Sequence, residues 1–347
     1  MIRVGIVGLG FMGMVHYLTY QKLRGAKVAA ICEVDAKRLQ GDWREIKGNF
    51  GPAGKKMDLR KIATYGNIDE MLADPDLDLI DITLPPSMHA DVAIKAMKAG
   101  KHVFSEKPMS LTSPSCQRML SESVRTGRRL FVGHVLPFFP EYAWALKAVQ
   151  SGKYGKLLGG SFKRVISDPA WLKHYWSAKH VGGPMLDLHV HDAHFVRLLF
   201  GMPSAVITHG RLRGKLAEHW HTHFCYNKSK FSVHATSGVI SQQGRGFDHG
   251  FEIHLQEATL AFEFAVVGNE GRYLCAPTVF DKNGRAHPAK LSGGDPMDAF
   301  ATELREVVAC LRQNRKSSVL APQLACDAVV LCNKQTQSLQ NQRKTKV

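Results

Sequence analysis

The feature that most narrows what this chain can fold into is its opening. An apolar run at residues 4–7 leads into Gly8-Leu9-Gly10-Phe11-Met12-Gly13, and the residues after it have the mixed polarity of a helix laid on a sheet. The three glycines serve different ends. Gly8 permits a tight turn, Gly10 lets backbone approach a pyrophosphate, and Gly13 lets helix and strand pack closely. The backbone of Gly8, Gly10, Phe11, Met12 and Gly13 is therefore the expected cofactor-binding turn, with helix N–H groups meeting the phosphates. A second apolar run, 27–32, ends in Glu33, where a carboxylate would accept hydrogen bonds from an adenosine ribose and repel a 2'-phosphate. The pattern predicts an NAD site in preference to NADP. Lys37 and Arg38 weigh against that preference only if the loop folds back; two basic residues early in a helix are otherwise a solvated face.

With 347 residues, 44% of them hydrophobic, the chain is expected to build two domains with separate cores. The first residues enter a strand directly, without the pattern of a secretory leader, and no apolar run approaches twenty residues, so a cytoplasmic protein without membrane partners is expected. Seven scattered cysteines without a C-x-x-C pair suit reduced thiols. A formal charge of +16 raises the possibility of acidic partners, yet lysines and arginines are spread along the chain without interleaved aromatics. That distribution describes a solvated basic surface with no specific nucleic-acid partner.

Strand candidates at 4–7, 27–32, 62–65, 77–83, 102–106 and 130–133 alternate with helical stretches, among them 37–46, 68–73, 88–99 and 113–125. The alternation predicts an α/β Rossmann domain, a doubly wound parallel sheet, over residues 1–133. In such sheets ligands lie beyond the carboxyl ends of strands, which is where Gly8, Glu33, Thr83 and Glu106 fall. After a helix at 140–151 the rhythm changes to alternating segments at 157–166, 205–213, 216–226, 231–241, 251–254, 258–264 and 273–280, interrupted by a helical insertion at 184–200. These predict an α+β domain over 134–340 with a large open, mainly antiparallel sheet, closed by helices at 296–313 and 322–339. A polar tail, 341–347, is expected to be unstructured.

Three segments carry a resemblance to a known family. They are Val4-Gly5-Ile6-Val7-Gly8-Leu9-Gly10-Phe11-Met12-Gly13, then Ala96-Met97-Lys98-Ala99-Gly100-Lys101-His102-Val103-Phe104-Ser105-Glu106-Lys107-Pro108, and Gly182-Gly183-Pro184-Met185-Leu186-Asp187-Leu188-His189-Val190-His191. Together they resemble the Gfo/Idh/MocA family of NAD(P)-dependent oxidoreductases. The resemblance implies that Glu106 contacts the nicotinamide end of the cofactor and that Lys107 is the catalytic lysine. It also implies that Asp187 and His191 form the family's D-x-x-x-H pair, and that Thr83, Pro85 and His89 line the dinucleotide. It further implies sugar or cyclitol substrates, a cis bond before Pro108, and a homodimer or homotetramer. The chain departs from the family's commonest form at His189, where Gly is usual, at His194, where Asp is usual, and at Pro137, where a polar residue is usual.

The expected chemistry is hydride transfer between NAD and a secondary alcohol of a sugar, sugar derivative or cyclitol. Such oxidation needs a base that titrates near neutrality and a cation to steady developing alkoxide charge. His191 suits the first role and Lys107 the second, while Asp187, four residues before His191, would share its side of a helix. Alternative outcomes are a lyase or glycosidase that oxidises only transiently, and a non-catalytic NAD-binding sensor. Trp176 and Lys179, with Trp171 and Tyr175, are substrate-contact candidates whose competing role is ordinary packing. Two histidine groups, Asp187 with His189, His191, Asp192 and His194, and His219 with His221 and His223, have metal-ligand chemistry; a metal-free hydride site and a polar sheet face explain them without an ion.

Overall fold

The computed structural model describes residues 1–48, 51–170, 172, 174–227, 231–291 and 296–347. The chain forms two compact units, Met1–Phe138 with Gly294–Cys326 and Phe139–Gly293 with Asp327–Val347. A division in chain order at 133/134 puts residues 294–326 in the second unit; in the structure they pack with the first.

The first unit alternates β1 (Ile2–Val7), α1 (Phe11–Lys22), β2 (Ala26–Cys32), α2 (Ala36–Leu39), β3 (Ala63–Tyr65), α3 (Ile68–Ala73), β4 (Leu79–Ile82), α4 (Pro86–Lys98), β5 (His102–Glu106), α5 (Ser113–Thr126) and β6 (Leu130–Gly133). All six strands run parallel in the order β3-β2-β1-β4-β5-β6. Strand order reverses beside β1, and the crevice such a reversal opens lies at the carboxyl ends of β1 and β4.

The expected helix at 37–46 is only the four residues of α2. Gly41, at φ +84°, reverses the chain there, and its carbonyl accepts from the Met57 N–H at 2.8 Å. Trp43 then turns inward, fully buried edge-on against Tyr17, with Nε1 donating to Arg38 O at 2.9 Å. Asn49 and Phe50 of the expected surface loop at 47–56 lie outside the described residues.

The second unit contains α6 (Pro140–Gln150), β7 (Leu157–Ser167), α7 (Gly183–Asp187), α8 (Val190–Phe200), β8 (Ala205–Arg213), β9 (Leu216–Cys225), β10 (Ser232–Ile240), β11 (Arg245–Leu255), β12 (Ala258–Val267), β13 (Glu270–Asp281) and β14 (Ala286–Pro288). Helix α9 (Pro296–Arg312) belongs to the first unit, α10 (Pro322–Asn341) begins in the first and continues in the second, and β15 (Thr345–Lys346) ends the chain. The nine-stranded sheet has the order β14-β13-β12-β11-β7-β10-β9-β8-β15 and is antiparallel except between β7 and β10. The tail, expected to be unstructured, contributes β15, which pairs with Val206 and Ala205 of β8 and covers that edge.

Aromatic edges hold this unit's core: Tyr142, Phe162, Phe195 and Phe251 meet at ring separations of 5.1 to 6.5 Å. Among the described residues no helix is long and apolar enough to cross a membrane.

Candidate active site

In the first unit the carboxyl ends of β1, β2, β4 and β5 converge on the glycine turn. Gly8 has φ +94°, and a side chain at Gly13 would put its Cβ 2.1 Å from Gly8 O, so helix α1 can approach β1 only with glycine there. Among the described residues nothing lies within 4 Å of where a Gly10 Cβ would project, and no side chain caps the start of α1, whose first turn carries no acidic residue. An accessible helix N-terminus without a competing carboxylate fits a dinucleotide pyrophosphate. Phe11, one of the residues assigned to the turn, turns its ring against Gly48, while Met12 lies in the first turn of α1.

Glu33 ends β2 as a largely buried carboxylate held by three backbone donors, Leu9 N–H at 2.7 Å, Val34 N–H at 2.8 Å and Asp35 N–H at 3.1 Å. It is thereby tied to the glycine turn. Arg38 Nη1 approaches it to 3.8 Å, so the basic residue whose position was open does fold back toward the carboxylate.

Thr83 hydroxyl donates to Gly8 O at 2.6 Å and so locks the end of β4 to the same turn, and Pro85 is the N-cap residue that precedes α4. His89 is fully buried, with Nδ1 2.9 Å from Pro108 O and Nε2 2.6 Å from Leu84 O. Burial pushes its imidazole below the ordinary range while the two carbonyls oppose that shift. Its ring bolts the β4 turn to the turn after β5. There the Lys107–Pro108 peptide is cis, Lys107 is half-buried, and Glu106 Oε2 accepts from the Lys107 N–H at 3.0 Å.

Three side chains behind Glu106 have no counterpart among the residues singled out from the sequence. His16 of α1 is fully buried, with Nδ1 3.0 Å from both oxygens of Asp81 and Nε2 3.2 Å from Glu106 Oε1. Glu303 of α9 is fully buried beside them. The signal was a charged residue inside the apolar run 79–82 and a histidine on the sheet-facing side of α1; what the sequence could not supply was the partner from α9.

In the second unit the expected continuous helix is broken. His189 N–H donates to Pro184 O at 3.0 Å, a widened turn that separates α7 from α8 between Asp187 and His191. Asp187 and His191 are both part-exposed, whereas His189, Asp192 and His194 between and beyond them are buried. His189 Nδ1 meets Ser237 Oγ at 2.7 Å, and burial pushes its imidazole down to about 4, so it is a neutral core histidine packed edge-on against Trp220. Asp192 is occupied by Arg164, which donates from Nε at 2.7 Å and from Nη2 at 3.1 Å; the same guanidinium donates to Tyr142 Oη at 3.2 Å.

Burial first, then the Asp187 and Asp168 carboxylates, raise the Tyr175 phenol well above its usual value. Trp176 donates to Asp168 Oδ1 at 3.0 Å, and the Arg213 guanidinium covers one of its ring faces at 3.8 Å; Lys179 is exposed. Trp171 lies outside the described residues. His219, His221 and His223 share the outer face of β9, opposite the buried Trp220, Thr222 and Phe224, and His221 Nδ1 meets Thr236 Oγ1 at 2.8 Å. Among the described residues no group of three or more His, Cys, Asp or Glu side chains is arranged to hold a metal ion.

Comparison with known proteins agrees with this architecture. The chain is 30% identical over 201 residues to the myo-inositol 2-dehydrogenase of Thermotoga maritima, covering 58% of this chain and 55% of that protein. It is 29% identical over 215 residues to the scyllo-inositol 2-dehydrogenase (NAD(+)) of Bacillus subtilis, covering 61% and 58%. The chain thus spans about half the length of the curated relatives it matches. A solved levoglucosan dehydrogenase in complex with NADH and levoglucosan shares the fold at a TM-score of 0.80 and 18% identity, covering 100% of this chain and 99% of that one. A model described as an oxidoreductase family with an NAD-binding Rossmann fold matches residues 2–134, and the GFO/IDH/MocA C-terminal domain matches residues 142–261. On these two matches, and on the glycine turn and sheet order that underlie the first, the chain belongs to the Gfo/Idh/MocA family of NAD-binding oxidoreductases.

Proposed function

We propose that this protein is an NAD-dependent oxidoreductase that moves hydride between the nicotinamide and a secondary alcohol of a sugar, sugar derivative or cyclitol. The observation that carries the reading is the Glu106-Lys107-Pro108 turn, set at the carboxyl end of β5 in a sheet whose β1 ends in an uncapped glycine turn. The relatives named as inositol dehydrogenases support the substrate class.

When bound, the dinucleotide supplies the hydride acceptor and donor. In this proposal Glu33 accepts from the adenosine ribose, the Gly8–Gly13 backbone receives the pyrophosphate, and Thr83, Pro85 and His89 hold the turn that borders it. Glu106 meets the nicotinamide end. Lys107 steadies alkoxide charge on the substrate oxygen, His191 takes the hydroxyl proton, and Asp187 orients His191 or shares the hydroxyl. Lys179 and the face of Trp176 opposite Arg213 are the proposed sugar contacts. A reducing, cytoplasmic setting is proposed on seven scattered cysteines without a C-x-x-C pair, and a homodimer or homotetramer on the family's habit of pairing sheet faces.

Incubation of the purified protein with NAD+ and a panel of cyclitols, pyranoses and sugar acids tests the reading through NADH absorbance. At least one substrate is expected to accumulate NADH, with kcat/KM falling about 10²- to 10⁴-fold in Lys107→Ala and in His191→Ala. Product without NADH accumulation would instead point to transient oxidation followed by elimination or hydrolysis. Ligand binding unchanged in both variants, without turnover in the wild type, would make the protein a sensor.

A further inference from the structure

The first unit buries more acid and base than its proposed chemistry uses. His16 projects from α1 into a space walled by β4, β5 and α9, where it faces Asp81 from β4, Glu106 from β5 and Glu303 from α9. Phe104 and Phe300 flank its ring at 5.6 and 6.4 Å, and Tyr20, one turn along α1, is buried near Asp81 and Glu303. Asp81 and Glu303 are fully buried, and Glu106 is 7% exposed. Three carboxyl groups thus surround one imidazole in a space closed to water.

The geometry divides the work. Asp81 offers both oxygens to Nδ1, which orients the ring and directs Nε2 at Glu106 Oε1, 3.2 Å away. The other oxygen of Glu106 accepts the Lys107 N–H. Gly133 on the neighbouring strand leaves room for this arrangement, because a Cβ there would lie 3.2 Å from Glu106 Oε1.

We propose that His16 is the positioning residue for Glu106: braced by Asp81, its ring fixes the Glu106 carboxyl group at the end of β5, where it meets the nicotinamide end of the dinucleotide. This inference rests on the placement of Glu106 in the proposed function and adds what holds it there. Burial alone would lower the His16 imidazole, but the Asp81 and Glu106 carboxylates outweigh burial and raise it well above its ordinary value. Glu303 is raised well above the usual carboxyl range by burial, with the Glu106 and Asp81 carboxylates adding to that shift and His16 opposing it, so it stands beside the pair as a neutral acid.

Calorimetric titration with NAD+ and with ADP-ribose, which lacks the nicotinamide, separates this role from a merely structural one. Wild type is expected to bind NAD+ more tightly than ADP-ribose at all pH values between about 6 and 8.5. His16→Gln is expected to lose about tenfold or more in NAD+ affinity, with ADP-ribose affinity within about twofold of wild type. Glu106→Gln is expected to be weak at every pH, and the double variant no weaker than Glu106→Gln alone, because the two residues act through one carboxylate. Retention of wild-type NAD+ affinity by His16→Gln would overturn the proposal, as would equal loss of NAD+ and ADP-ribose. If His16 variants do not fold, ¹⁵N-histidine NMR of the wild type decides: a cationic His16 imidazole at pH 7 supports the assignment and a neutral tautomer at pH 7 refutes it. A wild type that binds NAD+ no more tightly than ADP-ribose removes Glu106 from the nicotinamide, and the function reading fails together with this inference.

Discussion

Glu303 shows at the scale of one residue what burial does to a carboxyl group. It is fully enclosed on α9, neither oxygen has a hydrogen-bond partner among the described residues, and burial and the neighbouring Glu106 and Asp81 raise it well above the ordinary value. The folded state therefore keeps a proton that the unfolded chain releases near pH 4.3, and stability falls as pH rises through that window. His16 acts in the same sense: its raised folded value gives stability that is complete below about pH 6.5 and is lost as pH rises through the folded value. Glu303→Gln stays neutral everywhere, so denaturant unfolding at a series of pH values should show the variant gaining on wild type as pH rises above about 4.5, with a slope of at most about 1.4 kcal/mol per pH unit for one proton. A difference independent of pH would show that Glu303 is ionised in the folded protein. Lys107, Asp187 and His191 were visible in the sequence as motif residues, whereas Asp81 passed as one of two charges in the apolar stretch 77–83. Glu303 was not visible, because a glutamate on an amphipathic helix reads as solvent-facing until the helix is docked.

At the scale of the element, the glycine turn separates packing from binding. A methyl group at Gly13 meets Gly8 O at 2.1 Å, so Gly13→Ala must push α1 away from β1, whereas Gly10→Ala meets nothing within 4 Å. Gly13→Ala is expected to cost about 1–3 kcal/mol in denaturant unfolding and most of the dinucleotide affinity. Gly10→Ala is expected to unfold like wild type yet bind NAD+ at least about tenfold more weakly, because its methyl takes space the pyrophosphate needs. Equal stability losses in the two variants would contradict this division of roles. The same steric logic explains where element boundaries were not legible. Strand β11 begins at Arg245 although Gly246 and Gly250 punctuate the sequence like turns; a Cβ at Gly250 would lie 2.3 Å from Phe262 O, so glycine there marks close strand approach. In α2 the error runs the other way, since periodicity continues through residues whose apolar side chains serve a loop anchored by Trp43.

Across the whole molecule, the six parallel strands and seven of the nine strands of the open sheet could be read in order because each is a run of alternating or continuous apolar residues with its own punctuation; the short β14 and β15 could not. The return of α9 to the first unit could not, since an amphipathic helix does not name the surface it covers; Leu304, Val307 and Val308 enter a core with Tyr17, Tyr20 and Val4. Charge acts at this scale too. Lysines and arginines exceed acidic residues by 46 to 30, a net +16 spread along the chain, so the field is long-range and unspecific. Its consequence lies in encounter rates for anionic ligands, including the pyrophosphate-bearing dinucleotide. Stopped-flow titration should show the NAD+ association rate falling about three- to tenfold between low salt and about 0.5 M, where the Debye length shrinks to a few Å, with the dissociation rate nearly constant. A salt effect confined to dissociation would instead place the decisive charges at the bound phosphates, and the net charge would then have no part in delivering the cofactor.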